Sequence, residues 1–391
     1  MIINHPKVYF CYANPAGFSG QKDATKVILA GLSKRGWACC ALPQPVRNRG
    51  AGKPKSEFVR YAGSLLLAWT RALRLLLARR SWLHVNMGQT WAAFLRDGIP
   101  LLFAALGVGR RRIVISLHGN LFMQWPADSF QIRVFRFLLM RSGLITVSGE
   151  RQRVRLLAIG LPEDKVMVMV NTCDLEPIGE QAMNEKHHTM QAQIVRVLYL
   201  SSLIDTKGFP EYLEALLLLA SRSGSIIEAV LCGNVVASKF NSRFSKEGEA
   251  ETWIKEQLEK LNASERISIS WIKGVVGDAK LMLQRATDIF VLPTYYPVES
   301  QPLVLLEAMA SGSAIITTRA GEIETILDER SALLLPGVSA LILADNIQRL
   351  MDHRDQRAML AKGAWTRFLD HYQPEKHLDR WEKIFSDKTV N

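Results

Sequence analysis

At 391 residues the chain is too long for one ordinary core and has room for two or three domains of about 150 residues. Hydrophobic residues make up 48%, which argues against large-scale disorder, and the five cysteines (Cys11, Cys39, Cys40, Cys173, Cys232) are odd in number, lack metal-ligand spacing and lie in apolar or strand-like contexts, so they read as reduced core thiols. The net charge of +12 is uneven, because residues 1–180 hold 25 Lys and Arg against 10 Asp and Glu while the remainder holds 24 against 27; a basic half suits nucleic acid, an anionic membrane, a phosphorylated substrate or mere solubility.

The opening "MIINHPKVYFCYA" has no extended apolar run after a basic start, so no signal peptide is expected. Short β-rich runs then alternate with helical stretches: "KVYFCYA", a helix from Ser19 to Arg35, "WACCAL", a helix over 64–82, "WLHVNM", Trp91 to Leu106, "RIVISLHG", Phe130 to Leu139, "LITVS", Glu150 to Ile159 and "VMVMVN". Such alternation predicts a parallel, doubly wound sheet. Within it, "SLLLAWTRALRLLLARRSW" sets Leu65, Trp69, Leu73 and Leu76 beside Arg71, Arg74, Arg79 and Arg80. It fits a basic amphipathic helix on a membrane surface, and equally a core-facing helix with solvated arginines. The longest apolar run, Ile99 to Gly109, is about half of the roughly 20 residues a bilayer needs, so no crossing helix is expected. The polar stretch 176–193 reads as a linker between a first domain over 1–175 and a second over 194–365.

The alternation restarts with "IVRVLYLS", a helix after Gly208, "IIEAVLCG", a charged helix over 249–261, "RISISWI", "DIFVLP", a helix from Pro302, "AIITT" and "ALLLP". Residues 366–391 read as aromatic helices packing back on the first domain. Two tandem α/β domains would place a cleft at the carboxyl ends of their sheets.

"YYPVESQPLVLLEAMASGSAII" (295–316) sets Glu299 and Glu307 eight residues apart around Pro302. Proline lacks an amide hydrogen and is tolerated at a helix start, so the helix begins near Pro302, with Glu299 in the loop before it and Glu307 inside it. At about 1.5 Å per residue the two are separated by up to roughly 12 Å, too far for a coupled acid/base pair and suited to the two ends of one elongated ligand. Ionised carboxylates accept hydroxyl hydrogens, so they fit a ligand with two diols.

The blocks "LSSLIDTKG", "VLCGN", "WIKGVVGDAKLMLQRATDIFVLP", "VESQPLVLLEAMASG" and "RAGEIETI", together with "ISLHG", "LITVSGERQRVRL" and "VNTCD" earlier, resemble the retaining glycosyltransferases of family 4, of the bacterial surface-polysaccharide type, with Glu299 and Glu307 at the E-x7-E signature. The resemblance implies the GT-B fold, two Rossmann-like domains facing across a cleft, the first binding the acceptor and the second a nucleotide sugar. It assigns Glu307 to ribose hydroxyls, Glu299 to hydroxyls of the donor sugar, His118 to a sugar-facing role and Lys207, ahead of Gly208, to the diphosphate. His118, Lys207 and Glu299 are thus the catalytic candidates. Ser300, Gln301 and the amides beside Pro302 and Leu303 are candidates for sugar hydroxyls, because a helix N-terminus presents unpaired donors. The backbone of Lys273 and Gly274 is a candidate for the nucleobase, and Gly17 and Gly20 in "NPAGFSG" for close approach to the ligand. Ser202 stands where many relatives carry a second phosphate-binding arginine.

The resemblance further implies transfer of a hexose from a UDP- or GDP-sugar, with retention, to a lipid-linked or saccharide acceptor in surface polysaccharide or glycolipid synthesis. In that chemistry the acceptor hydroxyl attacks on the leaving-group side and the enzyme supplies positioning and charge stabilisation. No cofactor or metal is expected, nor any nucleic-acid partner. The expected location is cytoplasmic, peripheral at the inner face of the membrane. A nucleotide-sugar 2-epimerase, a phosphorylase or a non-catalytic binding subunit would share the architecture.

Overall fold

Twelve parallel strands in the computed structural model form two six-stranded sheets; the residues described are 5–15, 20–46, 55–188, 194–222 and 224–387. The chain forms two units, residues 1–173 with 374–391, and residues 174–373. Both are doubly wound α/β layers, as the strand-helix alternation predicts.

The first unit runs β1 (Val8–Asn14), α1 (Gly20–Lys34), β2 (Cys39–Pro45), α2 (Lys55–Ala72), β3 (Trp82–Asn86), α3 (Trp91–Ala104), β4 (Ile113–Leu117), α4 (Phe130–Leu139), β5 (Leu144–Val147), α5 (Glu150–Ala158) and β6 (Val166–Val168). Its strand order is β2-β1-β3-β4-β5-β6. Strands β3 and β4 are buried at every position, as expected of a sheet covered on both faces. Cys11 and Cys173 are buried, whereas Cys39 and Cys40, expected in the core, are half-buried on the edge strand β2.

Two expectations in this unit need correction. The helix placed over 64–82 begins at Lys55, ends as α2 at Ala72 and tightens into a 3-10 turn over Leu73–Leu77. The apolar run at Ile99 does not stand alone either: helical backbone continues from Trp91 through Pro100 and a π turn, Ala105–Gly109, to Arg112, so Trp91–Arg112 is long and apolar enough by length and composition to cross a membrane. The run looked short in sequence because Arg96 and Asp97 interrupt the apolar residues before Ile99 and Arg110 ends them. Half of its most apolar window is buried in the unit, Leu101 and Ala104 lie in the core, and Arg96 pairs with the buried Asp97 at 2.7 Å, all features of a core helix.

The second unit runs α6 (Glu180–His188), β7 (Ile194–Leu200), α7 (Phe209–Ala220), β8 (Ile226–Cys232), α8 (Glu247–Asn262), β9 (Ile267–Ile272), α9 (Gly277–Ala286), β10 (Ile289–Leu292), α10 (Leu303–Ala310), β11 (Ala314–Thr318), α11 (Ile323–Ile326), β12 (Leu333–Leu335), α12 (Ala340–Asp352) and α13 (Arg354–His371). Strand order is β12-β11-β10-β7-β8-β9. The stretch read as a linker, 176–193, contains α6, which is docked on the end of α10. Ile178 N donates to the Ala310 carbonyl at 3.0 Å, Lys186 Nζ donates to the Ser311 carbonyl at 2.9 Å, and Met183 is buried. A cation there complements the carbonyl end of the helix.

α13 runs through residue 366, where the sequence reading placed the start of the returning segment, and the change of unit comes at Pro374. The last helix, α14 (Pro374–Phe385), packs on α1 of the first unit. Trp381 and Phe385 bury themselves beside Phe10 and Trp82, each contributing about 1.5–3 kcal/mol. Arg35 reaches Asp379 at 2.7 Å and Glu382 at 2.8 Å, and a Cβ on Gly31 would lie 2.4 Å from a Leu378 methyl, so a larger residue there would force the Leu378 side chain to move.

Candidate active site

In the second unit the strand order reverses between β7 and β10, and open parallel sheets bind ligands outside the carboxyl ends of their strands at such a point. Lys207 follows β7 on a 3-10 turn, Asp205–Lys207. Its neighbour Gly208 has φ +86°, and a Cβ there would meet the Pro293 carbonyl oxygen at 2.3 Å, so glycine is required for the loop after β7 to touch the loop after β10. Tyr199 Oη donates to the Lys207 carbonyl at 3.1 Å. The buried Asp205 accepts amides of Ser242 (2.8 Å), Arg243 and Phe244 (3.2 Å), which fastens the loop after β8 to the same place.

Glu299 comes from the loop after β10. Its Oε2 lies 3.3 Å from Lys207 Nζ and accepts from Thr294 Oγ1 at 3.1 Å, while Lys207 also sits 5.2 Å over the Tyr296 ring. Both partners are mostly buried, with side-chain exposures of 17% and 8%. Ser300 and Gln301 are buried next to them, and the Ser300 carbonyl accepts Glu322 N at 2.9 Å. Pro302 is the N-cap of α10 and Leu303 its first residue, so the proline marks the helix start one position early. First-turn amides of such a helix point outward as donors.

Glu307 is buried on α10. Lys280 Nζ of α9 lies 2.5 Å from its Oε1, and Gln284 Nε2 donates to Oε2 at 3.4 Å. Burial pushes the Glu307 carboxyl up, Lys280 opposes that, and Asp174 adds to it. After β9, Gly274 adopts φ +74° with its Cβ direction 3.0 Å from Asn234 Nδ2. The Lys273 side chain pairs with Glu251 on α8 at 2.8 Å and is half exposed, which leaves only its backbone for the nucleobase role.

Of the expected residues in the first unit, Gly17 lies outside the described residues and Gly20 opens α1. His118 follows β4 and its Nδ1 is 2.9 Å from Asn171 Oδ1, so with Nδ1 donating, Nε2 is an acceptor; it is buried and has no partner. Burial lowers the His118 imidazole to about 4, with the Asn171 hydrogen bond opposing. Nearby in charge terms are His84, whose Nε2 bonds Ser116 Oγ at 2.7 Å, and His377, whose Nε2 accepts from Trp381 Nε1 at 2.9 Å.

Several of these partners are absent from the sequence reading. Lys280 and Gln284 lie four residues apart and so share a helix face, a signal that was available once α9 was recognised as a helix. Asp205, Thr294 and Asn171 carry no spacing signal. At position 202 the serine carbonyl accepts Ile204 N, and Arg243 is engaged with Glu214 (2.7 Å) and the Trp253 ring (4.5 Å). Among the described residues, no three His, Cys, Asp or Glu cluster as a metal site.

Residues 184–367, most of the second unit, match the family "Glycosyl transferases group 1". The chain is 38% identical over 89 residues to a D-inositol 3-phosphate glycosyltransferase of Salinispora tropica (22% of this chain, 18% of that protein) and 37% identical over 81 residues to that of an Arthrobacter species (20% and 19%). The matched stretches thus span about a fifth of the length of these relatives. Over nearly its whole length the chain superposes on Anabaena Alr3699/HepE in complex with UDP and glucose (TM-score 0.69, 16% identity, 98% of this chain, 100% of that one) and on sucrose-phosphate synthase of Thermosynechococcus elongatus (0.68, 17%, 97% and 98%). These likenesses show the fold: two parallel six-stranded α/β units, shared with glycosyltransferases of the GT-B type.

Proposed function

We propose that this protein is a retaining glycosyltransferase of family 4 that moves a hexose from a UDP- or GDP-sugar to a lipid-linked or saccharide acceptor in surface polysaccharide or glycolipid synthesis. The observation that carries the reading is the meeting of Lys207 with Glu299 at the strand-order reversal of the second unit, with Glu307 buried one helix further along. A buried ion pair is weak evidence of stabilisation, so its place at the ligand-binding edge of the sheet favours function. Lys207 holds the diphosphate and offsets its charge as it leaves; Glu299 releases the lysine and accepts sugar hydroxyls; Glu307 accepts the ribose diol; Ser300, Gln301 and the amides at Pro302–Leu303 take remaining hydroxyls. His118 Nε2 is an acceptor for a sugar hydroxyl. The acceptor attacks on the leaving-group side, the departing phosphate takes its proton, and no metal is used. The Anabaena neighbour's complexes with UDP, glucose and UDP-glucose support the donor class. The test is a thermal-shift screen of nucleotide sugars followed by the anomeric configuration of the product by NMR. Stabilisation by one UDP- or GDP-sugar and a product that keeps the donor's configuration are expected; inversion or stabilisation by none contradicts the reading.

A cytoplasmic, membrane-peripheral location has its own support. Leu77 (87% exposed) and Leu106 (80%) belong to the turns Leu73–Leu77 and Ala105–Gly109, which touch so closely that a Cβ on Gly107 would lie 2.1 Å from the Leu75 carbonyl. Arg74, Arg79, Arg80, Arg110 and Arg111 are exposed around them. Apolar side chains ringed by arginines suit insertion into an anionic leaflet, where a lipid-linked acceptor would lie.

A further inference from the structure

Glu307 is held from α9 by two side chains at once. Lys280 and Gln284 stand one helical turn apart, the lysine 2.5 Å from one carboxylate oxygen and the amide nitrogen 3.4 Å from the other. Gln284 is wholly buried, and its own Oε1 has no partner. An apolar pair would fill this space at least as stably, because burying two charges costs more than their attraction commonly returns. An ionised carboxylate offers about four lone-pair sites. Lys280 and Gln284 occupy one on each oxygen, which leaves two, the number a vicinal diol fills. The orphaned Gln284 carbonyl oxygen is a further acceptor beside them, as expected of a pocket built for a ligand rather than for packing.

Resting on the nucleotide-sugar reading above, we propose that Lys280 and Gln284 are positioning residues that keep Glu307 ionised and aimed at the ribose cis-diol, and so set a preference for ribonucleotides over 2′-deoxyribonucleotides. The groups facing Glu307 are Lys280 and Gln284 from α9 and Asp174 from the start of the unit. Burial and Asp174 both favour the protonated carboxyl, and Lys280 is the cation that opposes them. Without it the carboxyl gains a proton closer to neutral pH, and a protonated carboxyl gives up acceptor capacity.

The experiment titrates full-length parent, Lys280→Met and Lys280→Arg with UDP-glucose and GDP-mannose by calorimetry from about pH 8.5 down to 6; in both probes every phosphate is a diester with no proton to gain in that range, so a pH effect belongs to the protein. The parent is expected to bind one of the two with the same affinity throughout. Lys280→Met is expected to bind about tenfold more weakly at the top of the range and to lose up to another tenfold per pH unit below the raised carboxyl pKa, whereas Lys280→Arg stays flat. With the corresponding nucleoside diphosphate and its 2′-deoxy form, the parent's preference for the ribose should shrink towards one in Lys280→Met. Gln284→Leu, which keeps the lysine, should lose part of the ribose preference while its pH profile stays flat, and it decides the matter should Lys280→Met fail to fold. Parental pH dependence and parental ribose preference in these variants overturn the proposal while leaving the donor reading intact. A parent that binds neither sugar nucleotide, nor free UDP or GDP, overturns both.

Discussion

The two candidate sites solve the cost of burial in opposite ways. In the second unit, charge is buried and paired: Lys207 with Glu299, and Lys280 with Glu307. In the first unit the groups around His118 are kept neutral, with His118 against Asn171, His84 against Ser116, which bonds Thr146, and His377 accepting from the Trp381 indole, while the buried Arg96–Asp97 ion pair belongs to α3 and arginines such as Arg74, Arg79 and Arg80 are exposed. The paired arrangement suits a diphosphate and diols, which need charge and strong acceptors; the neutral one suits hydroxyl groups.

The largest effect should come from the outside charge. Reversing Arg71, Arg74, Arg79 and Arg80 to glutamate removes about 1 kcal/mol per basic side chain near an anionic surface, so sedimentation with phosphatidylserine-containing vesicles at physiological salt should be abolished. Unchanged sedimentation would mean the exposed leucines of Leu73–Leu77 face something other than lipid.

Inside the second unit, Lys207→Ala should lower turnover by 10² to 10³, about 3–4 kcal/mol, and donor affinity by less, because a donor to a leaving phosphate gains strength in the transition state. Ser202→Arg should recover part of that loss from the same strand-loop segment. Parental turnover in Lys207→Ala would place the phosphate elsewhere.

Glu307→Ala should weaken binding of the free nucleoside diphosphate by about 1.5–3 kcal/mol, since its proposed partner is the ribose and the lost bonds are to a charged acceptor. Calorimetry showing equal affinity for mutant and parent removes that assignment.

The neutral cluster should show in stability against pH. Burial lowers His84 and His377 to about 3, with His118 adding to the effect, whereas in the unfolded chain they take up protons below about 6.5. The unfolded state therefore binds more protons as pH falls from about 6.5 towards 4, and each histidine removes roughly 1.4 kcal/mol per pH unit from the first unit. Glu307 acts with the opposite sign, since a raised carboxyl holds its proton more tightly in the folded state, so acid does not weaken the second unit through that group. Hydrogen exchange at about pH 5 should show the first unit opening before the second, and His377→Gln should remove one histidine's share of the slope. Simultaneous opening with an unchanged slope would show that the cluster is not what sets acid stability.

The sequence made legible those features that depend on period and on proline. Strand-helix alternation named both sheets, and Pro302 located α10 to within one residue, because a missing amide hydrogen restricts where a helix can begin. At Pro100 the rule gave no boundary: the helix read over Trp91 to Leu106 runs through the proline, and helical backbone continues to Arg112. Tertiary contact overrode composition at 180–188, where few apolar residues would suggest a helix but Met183 and Lys186 dock α6 on α10. Partners such as Lys280, Thr294 and Asn171 stayed hidden because what makes them partners is distance across the fold. Lys280 is 27 positions from Glu307, and only the packing of α9 beside α10 joins them.

The most direct test of the account follows nucleotide release from UDP- and GDP-sugars in the presence of membrane lipid extract, comparing the parent with Lys207→Ala. Extract-dependent release of one nucleoside diphosphate by the parent and a fall of about 10² or more in the variant are expected. Release that is absent with every UDP- and GDP-sugar, or equal in parent and variant, would contradict it.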